Sequence, residues 1–223
     1  MKKLFFFFLL FTQCLISQTL FEKAEKLYKE KKFEEAKGLF ENYLKSAPNH
    51  LKTIEYLGDI AGNSKKWDEA IKYYNKLKQQ NPNSANYWYK YGGALGMKAK
   101  SVNKFKALGM IDDLETAFLT AANLDKKHVE SRWALVMLYI ELPAIIGGSE
   151  TKALKYADEI MNISKVEGYL AKGHIDVYYK RYKAAEVNLL KAHQIGNSAT
   201  TNAKLYDLYM NKLKDKENIR KKE

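Results

Sequence analysis

The fold is decided by two segments that share one pattern, FEEAKGLFENYLKSAP at residues 33–48 and WDEAIKYYNKLKQQNP at residues 67–82. They are offset by 34 residues, and their aromatic, small and proline positions coincide. The matching pairs are Phe33 and Trp67, Ala36 and Ala70, Phe40 and Tyr74, Pro48 and Pro82 and, upstream, Ala24 and Gly58. Apolar residues three and four apart predict a helix in each segment. The prolines end that helix because proline has no amide hydrogen for the next turn.

Small residues mark the places where the paired helices of one unit approach each other. Ala24 and Gly58 fall in the first helix of their units, and Ala36 and Ala70 fall in the second. A minimal side chain lets the partner helix come close, while the aromatic residues fill the space between units. A 34-residue period of this kind resembles the tetratricopeptide repeat, a helix–turn–helix unit. The resemblance implies an all-α protein, a right-handed α-solenoid of about five helical hairpins with a C-terminal capping helix.

The repeat pattern covers nearly all of the chain after residue 17. We predict a repeat domain at residues 18–199, followed by a capping helix and a charged tail at residues 200–223. The five predicted repeats are residues 18–50, 51–84, 85–128, 129–165 and 166–199. Repeats three and four have enlarged inter-helix turns, Lys98–Gly109 and Leu142–Ser149, and in this they resemble a bacterial exported subfamily of the repeat. Ser149 is expected to cap the helix that follows its turn.

The first 17 residues have the pattern of a secretory signal peptide. Two lysines precede an unbroken apolar run from Leu4 to Phe11, which is too short to span a bilayer, since that needs about 20 residues. Cleavage after Ser17 would remove the one cysteine of the chain, Cys14. We therefore predict an exported, periplasmic protein without disulfides. Lipidation of Cys14, and with it membrane anchoring, stays open as an alternative, although Phe11-Thr12-Gln13 matches a lipobox poorly.

The positive charge of the chain is large but evenly spread. The formal net charge is +12, and of 38 basic residues only Arg132, Arg181 and Arg220 are arginines. Lysines alternate with acidic residues along the repeats, which is typical of a solvated surface. Planar, bidentate recognition of phosphate prefers arginine over lysine. We therefore predict no nucleic-acid partner.

No catalytic or metal-binding pattern is complete. The chain has four histidines, none of them in a close ligand pair: His50, His128, His174 and His193. Three of them fall at helix ends or turns, where a capping or surface role is the simpler interpretation. Ser149-Glu150-Thr151-Lys152 spells S-x-x-K, but the S-D-N and K-T-G elements of such enzymes are missing. The sequence thus predicts a non-enzymatic protein with no catalytic residues, no metal and no cofactor.

The resemblance makes the first helix of each repeat the candidate binding surface, because these helices line the inner wall of such a solenoid. The inner positions that we predict to contact a partner are Tyr28, Glu55, Asp59, Tyr89, Trp133, Met137, His174 and Tyr178. A shift of one residue in the frame of repeat four would instead make Trp133 a core residue. The basic and amide positions that clamp a peptide carboxylate in some such repeats are absent here. Acidic residues in the first half and aromatic residues in the second favour an extended or helical apolar segment.

These observations predict an exported scaffold that holds a protein or peptide partner in a concave groove. The alternative is a binder of anionic lipid, polysaccharide or a small ligand through the two enlarged turns. In that alternative Lys98, Lys100, Lys104 and Lys106 would meet the anionic groups. An enzyme is the least favoured interpretation, and the sequence carries no signal for an oligomeric state.

Overall fold

The computed structural model of the protein describes residues 19–213, and every regular element in that range is a helix. The helices are α1 (residues 19–29), α2 (Phe33–Ser46), α3 (Leu51–Asn63), α4 (Trp67–Gln80), α5 (Ala85–Ser101), α6 (Lys104–Leu108), α7 (Ile111–Leu124), α8 (Val129–Glu141), α9 (Glu150–Ile163), α10 (Lys165–Tyr178), α11 (Tyr182–Gly196) and α12 (Ala199–Asp207). A 3-10 turn, Ala144–Ile146, precedes α9, and a π-helical segment, Leu208–Leu213, continues α12. The all-α prediction is confirmed. The predicted signal peptide, with Cys14, and the end of the charged tail lie outside the described residues.

The described residues form two compact units, one that ends at residue 114 and one that begins at residue 115. In the first unit, helices pair with their neighbours along the chain, as α3 does with α4 and α4 with α5. In the second unit, the same holds for α8 with α9, α9 with α10 and α10 with α11. Helix α7 begins in the first unit and ends in the second. This sequential pairing confirms the prediction of repeated helical hairpins of the α-solenoid kind.

The positions that repeat every 34 residues form the core of the first unit. No exposed surface remains on the repeating residues Ala24, Ala36, Phe40 and Ala70. A methyl group added at Gly58 would lie 2.6 Å from the ring of Tyr74, well inside van der Waals contact. The prediction that a small residue lets paired helices approach closely is therefore confirmed at Gly58.

The second unit buries small residues in the same way. Residues without exposed surface include Ala153, Ala157 and Ile160 on α9 and Ala185 and Ala192 on α11. The last helical segments bury Leu205, Leu208 and Tyr209 in one cluster with Leu170 and Leu189. These segments therefore cover the apolar face of the last hairpin, which is the role predicted for a capping helix.

Side-chain caps begin several of the helices. Ser149 accepts a hydrogen bond from the amide of the third residue after it, which confirms the predicted cap of α9. His50 caps α3 by accepting from the Thr53 amide at 3.3 Å. His128 caps α8 by accepting from the Ser131 amide at 3.1 Å. Two of the four histidines thus have the capping role expected of rings at helix ends.

Three hairpin turns place a lysine in the left-handed region of backbone conformation. The φ angles of Lys31, Lys65 and Lys180 are 61°, 56° and 59°. Each lysine stands two residues before the second helix of its hairpin. For a residue with a Cβ, this conformation costs about 1 kcal/mol. The sequence did not predict the left-handed conformation of these lysines, because glycine or asparagine is the usual signal for it.

Hydrogen bonds from tyrosine hydroxyls to carboxylates link neighbouring helices in both units. The pairs, with their distances, are Tyr56 to Glu25 (2.6 Å), Tyr74 to Asp59 (2.7 Å), Tyr139 to Glu115 (2.5 Å) and Tyr209 to Glu186 (2.7 Å). Burial, followed by the nearby carboxylate, raises the pKa of Tyr56, Tyr74 and Tyr139 above its ordinary value. In the folded protein these three hydroxyls therefore stay protonated at a pH where an exposed tyrosine would lose its proton.

Both enlarged turns expose an apolar side chain. In the first turn, Asn103 caps α6, and the Phe105 side chain on that helix is 87% exposed. In the second turn, Ile145 is 93% exposed, and Gly147 follows with a φ of 101°, which suits glycine. Among residues 19–213, no helix has the length and apolar character needed to cross a membrane.

Candidate binding surface

The predicted inner positions of the first unit lie on three different helices. We call Tyr28, Glu55, Asp59 and Tyr89, from α1, α3 and α5, the first-unit wall. Tyr28 and Asp59 come together: burial, and then the charge of Asp59, raises the pKa of the Tyr28 hydroxyl. Tyr89 is half-buried on α5. The structure thus brings three of the four predicted residues, Tyr28, Glu55 and Asp59, into one electrostatic cluster.

A lysine that the sequence reasoning missed, Lys90 on α5, joins the two carboxylates of the first-unit wall. Its Nζ lies 2.7 Å from Glu55 Oε1 and 2.7 Å from Asp59 Oδ1. Lys52 adds a second ion pair to Glu55 at 3.2 Å, and Tyr74 donates to Asp59 at 2.7 Å. Asp59 and Lys90 are 31 residues apart, close to the repeat period, which is the one sequence signal that connects them.

The ion pairs decide the protonation of this network. Burial alone would raise the pKa of the Glu55 carboxyl, but the hydrogen bonds and charges of Lys90 and Lys52 outweigh it and hold the pKa below its usual value. Burial would lower the pKa of Lys90, and Asp59 and Glu55 reverse that effect. Glu55 and Lys90 are therefore both charged at neutral pH.

The predicted acidic character of the first half needs correction. Glu55 is only 9% exposed, and its carboxylate already accepts from lysines on two sides. Asp59 is half-buried and accepts from both Lys90 and Tyr74. These two carboxylates hold α3 against α4 and α5, and their charge is balanced by neighbouring lysines. The first-unit wall thus presents a compensated polar network in place of the expected acidic surface.

Replacement of Lys90 by methionine is expected to lower the free energy of unfolding by about 2 kcal/mol at neutral pH, because two partly buried carboxylates lose their shared cation. The loss should shrink near pH 4. In the wild type, Lys90 lowers the Glu55 pKa, and the stability that this provides is lost as the pH falls toward that pKa. The variant lacks this contribution, so its Glu55 is protonated at little cost and the two proteins become more similar in stability. Urea unfolding at both pH values measures the difference. Lys72→Met, an exposed lysine on α4, is the control and should change little. Equal losses in both variants would contradict the network.

The predicted inner positions of the second unit lie on α8 and α10. We call Trp133, Met137, His174 and Tyr178 the second-unit wall. The rings of Trp133 and His174 meet edge to face with a centroid distance of 6.1 Å. Met137 is half-buried, and Tyr178 is 46% exposed. The structure therefore brings Trp133 and His174 together from two helices.

The sequence left open whether Trp133 is exposed on the inner wall or buried in the core, and the structure gives it an intermediate exposure. It is half-buried and packs against the cluster that contains Leu170. Its indole nitrogen donates to Glu167 Oε2 at 2.8 Å. Glu167 is in turn held at the start of α10, where its amide donates to the Ser164 hydroxyl. The indole orientation is thus fixed by a hydrogen bond that sequence analysis did not anticipate.

The second-unit wall carries little charge. Burial lowers the pKa of the His174 ring, Lys204 lowers it further, and Glu141 opposes them without reversing the result. His174 is therefore neutral at pH 7. A neutral imidazole beside an indole gives an apolar, aromatic surface with a few hydrogen-bonding atoms.

The described residues show no arrangement suited to metal binding. Between residues 19 and 213, no group of three or more histidine, cysteine, aspartate or glutamate side chains could hold a metal ion. In the S-x-x-K segment, the Ser149 hydroxyl accepts from the Lys152 amide at 3.2 Å, and the Lys152 ammonium lies 3.6 Å from Glu115. The serine is therefore engaged as a helix cap, as expected.

Comparisons with known proteins agree with this fold. Residues 27–92 match the family model of the tetratricopeptide repeat. Among solved structures, TTC0263, a thermophilic TPR protein of Thermus thermophilus, has 14% identity and a TM-score of 0.68, covering 87% of this chain and 99% of that one. The MamA protein has 18% identity and a TM-score of 0.63, covering 80% and 90%. YrrB, described as a TPR protein with an unusual peptide-binding site, has 15% identity and a TM-score of 0.56, covering 82% and 87%. No curated protein matches the chain at a significant level.

Proposed function

We propose that this chain, a tetratricopeptide-repeat protein by its repeat sequence and its fold, is an exported scaffold that binds a protein or peptide partner. The observation that carries the proposal is the second-unit wall, where Trp133 and His174 meet and Tyr178 is 46% exposed. Partly exposed aromatic rings on adjacent helices are the groups that anchor an apolar segment of a partner.

The geometry of Trp133 favours binding because the ring needs little reorganisation. Its hydrogen bond to Glu167 and its packing on the core fix the indole before a partner arrives. The free energy of contact is then not offset by a cost of ordering the side chain. Tyr178 is steadied by its neighbour, since the rings of Tyr178 and Tyr179 lie edge to face at 5.2 Å.

The charges of the walls restrict the chemistry of the partner. His174 is neutral at pH 7, and Glu55 and Asp59 are already paired with lysine. We therefore infer that the partner presents apolar or aromatic side chains to the second-unit wall, in an extended or helical segment. The description of YrrB as a peptide-binding protein supports a peptide ligand on this fold.

The proposal also concerns whether the protein is an enzyme and where in the cell it is located. We propose a non-enzymatic, periplasmic protein without a nucleic-acid partner, on the strength of the incomplete catalytic patterns and the signal-like residues 1–17. Ion pairs between lysines and acidic residues on different helices support the proposal that nucleic acid is not a partner. An example is the pair of Lys37 and Glu69, at 2.7 Å. Lipidation at Cys14 is the alternative to simple release into the periplasm.

Photo-crosslinking in living cells tests the binding surface. A benzoylphenylalanine at Met137 or Tyr178 is expected to trap the same partner, and Trp133→Ala should reduce the yield of that adduct about tenfold or more. The matched controls are Val187 and Ile195 on α11, each 53% exposed and outside the second-unit wall. Adducts of equal yield from the control positions would rule out the second-unit wall as the binding surface.

A further inference from the structure

The short helix α6 presents a large apolar side chain between two lysines. Phe105 is 87% exposed and Leu108 is 44% exposed. Residues three apart share a face of a helix, so these two side chains lie together. Lys104 and Lys106 are also exposed and stand on either side of Phe105 in the sequence. We call residues 103–109 the α6 tip.

The α6 tip itself carries only positive charge, and the nearest acidic residues along the chain, Asp112 and Asp113, are exposed at the start of α7. The segment of residues 98–110 contains four lysines and no acidic residue. Lys98 forms an ion pair with Asp68. For Lys104 and Lys106, no carboxylate among residues 19–213 lies within ion-pair distance. The lysines beside Phe105 are therefore available to an anionic surface.

We propose that the α6 tip docks onto a bilayer that contains anionic lipids. Phe105 and Leu108 enter the interfacial region, and Lys104 and Lys106 approach the phosphate groups. A short element with an apolar side and flanking lysines binds in the plane of a membrane by this combination of burial and charge. The attachment is reversible, because so few apolar side chains take part. It is independent of the partner proposed for the second-unit wall.

Charge and size favour a lipid surface over another macromolecule. The α6 tip has only two exposed large apolar side chains, far fewer than a stable protein–protein interface of about 1,000 Å² requires. Its cations are all lysines, point charges that suit the diffuse negative charge of a membrane better than the planar contacts of a nucleic acid. A bilayer needs no complementary groove and deforms around an exposed ring.

Vesicle co-sedimentation tests the proposal with protein purified after expression of the full chain. Vesicles of phosphatidylcholine with about 30 mol% phosphatidylglycerol are compared with phosphatidylcholine alone, and because every variant carries the same residues 1–17, differences between variants report on the α6 tip. We expect Phe105→Ala to weaken binding to the anionic vesicles about tenfold. Lys104→Gln with Lys106→Gln should weaken it about fivefold per lysine, and high salt should act in the same direction.

Ile145→Ala is the matched control, because Ile145 is 93% exposed in the other enlarged turn, where Glu141 and Glu150 are the nearest charged residues in the sequence. It should bind vesicles like the wild type. Binding that does not depend on phosphatidylglycerol, or that falls equally in Ile145→Ala and Phe105→Ala, would overturn the proposal. So would tight binding of soluble dextran sulfate that needs the lysines but not Phe105, since it would assign the site to polysaccharide. The photo-crosslink from Tyr178 should persist in Phe105→Ala, so the two proposals fail separately.

Discussion

Replacement of Arg132 by methionine is expected to lower the free energy of unfolding of the second unit by about 4 kcal/mol. The side chain on α8 is only 4% exposed. Its guanidinium donates to the carbonyl oxygens of Ala122, Asp125 and His128 at 3.0, 3.2 and 3.0 Å. Its Nε also donates to Glu159 Oε2 at 2.9 Å. Methionine fills a similar volume but leaves three carbonyl groups and a carboxylate without this donor.

The guanidinium is planar and donates in several directions at once, so a lysine at this position should restore only part of the lost stability. Arg132→Lys keeps the charge but cannot reach the end of α7 and Glu159 on α9 at once, so we expect about half of the loss. Urea unfolding gives the free energies, and hydrogen exchange in peptides from α7 to α9 localises the effect. Arg181→Met is the control, because Arg181 pairs with Glu150 and Asp176 but is 41% exposed. Its loss should stay below about 1 kcal/mol. Similar losses in both variants would show that Arg132 does not connect these helices.

Gly168→Ala is expected to destabilise the second unit by about 3 kcal/mol. Helices α9 and α10 are joined by one residue, Ser164, and cross so closely that an added methyl group would lie 2.4 Å from the Cα atom of Met161. The Met161 amide nitrogen would be 2.8 Å away. A backbone atom cannot move aside by a rotamer change, so the two helices have to separate.

Gly38→Ala is the matched control for this substitution. Gly38 lies on α2, and a methyl group added there meets no atom within 4 Å. Alanine should therefore stabilise that helix by up to about 1 kcal/mol through its higher helix propensity. Thermal unfolding of both variants measures the contrast. A Gly168→Ala protein as stable as the wild type would show that the α9–α10 crossing has more room than the structure gives it.

The sequence predicted the features that depend on local pattern. The spacing of Phe40, Ala36 and Ala70 identified core positions, because helix period and residue size together leave few ways to bury them. Ser149 was predicted as a cap because a hydroxyl beside a helix start has one common role. The first conclusion rests on helix periodicity and on a pattern that recurs after 34 residues, and the second on residues a few positions apart.

The remaining features depend on which charged side chains meet after folding. Apart from its distance of 31 residues from Asp59, Lys90 resembled the other lysines in the sequence, and its ion pairs in the folded protein changed the expected acidic wall into a compensated one. Arg132 could have been suspected as one of only three arginines, but its carbonyl partners lie at the end of α7 and in the turn after it, and the pattern does not show that one side chain reaches all of them. The orientation of Trp133 likewise depends on Glu167, a contact between helices that propensity cannot supply.

Burial of tyrosine hydroxyls, together with their hydrogen bonds to carboxylates, makes the hairpins sensitive to alkali. An unfolded chain releases phenolic protons near pH 10. The raised pKa values of Tyr56, Tyr74 and Tyr139 mean that the folded chain still holds those protons there. Above about pH 10, deprotonation therefore draws the equilibrium toward the unfolded chain, and the stability contributed by these hydroxyls declines steadily as the solution becomes more basic. Ionisation of Tyr56, Tyr74 and Tyr139 should accordingly coincide with the loss of helical structure, so these three phenols contribute to the limit of hairpin stability in alkali.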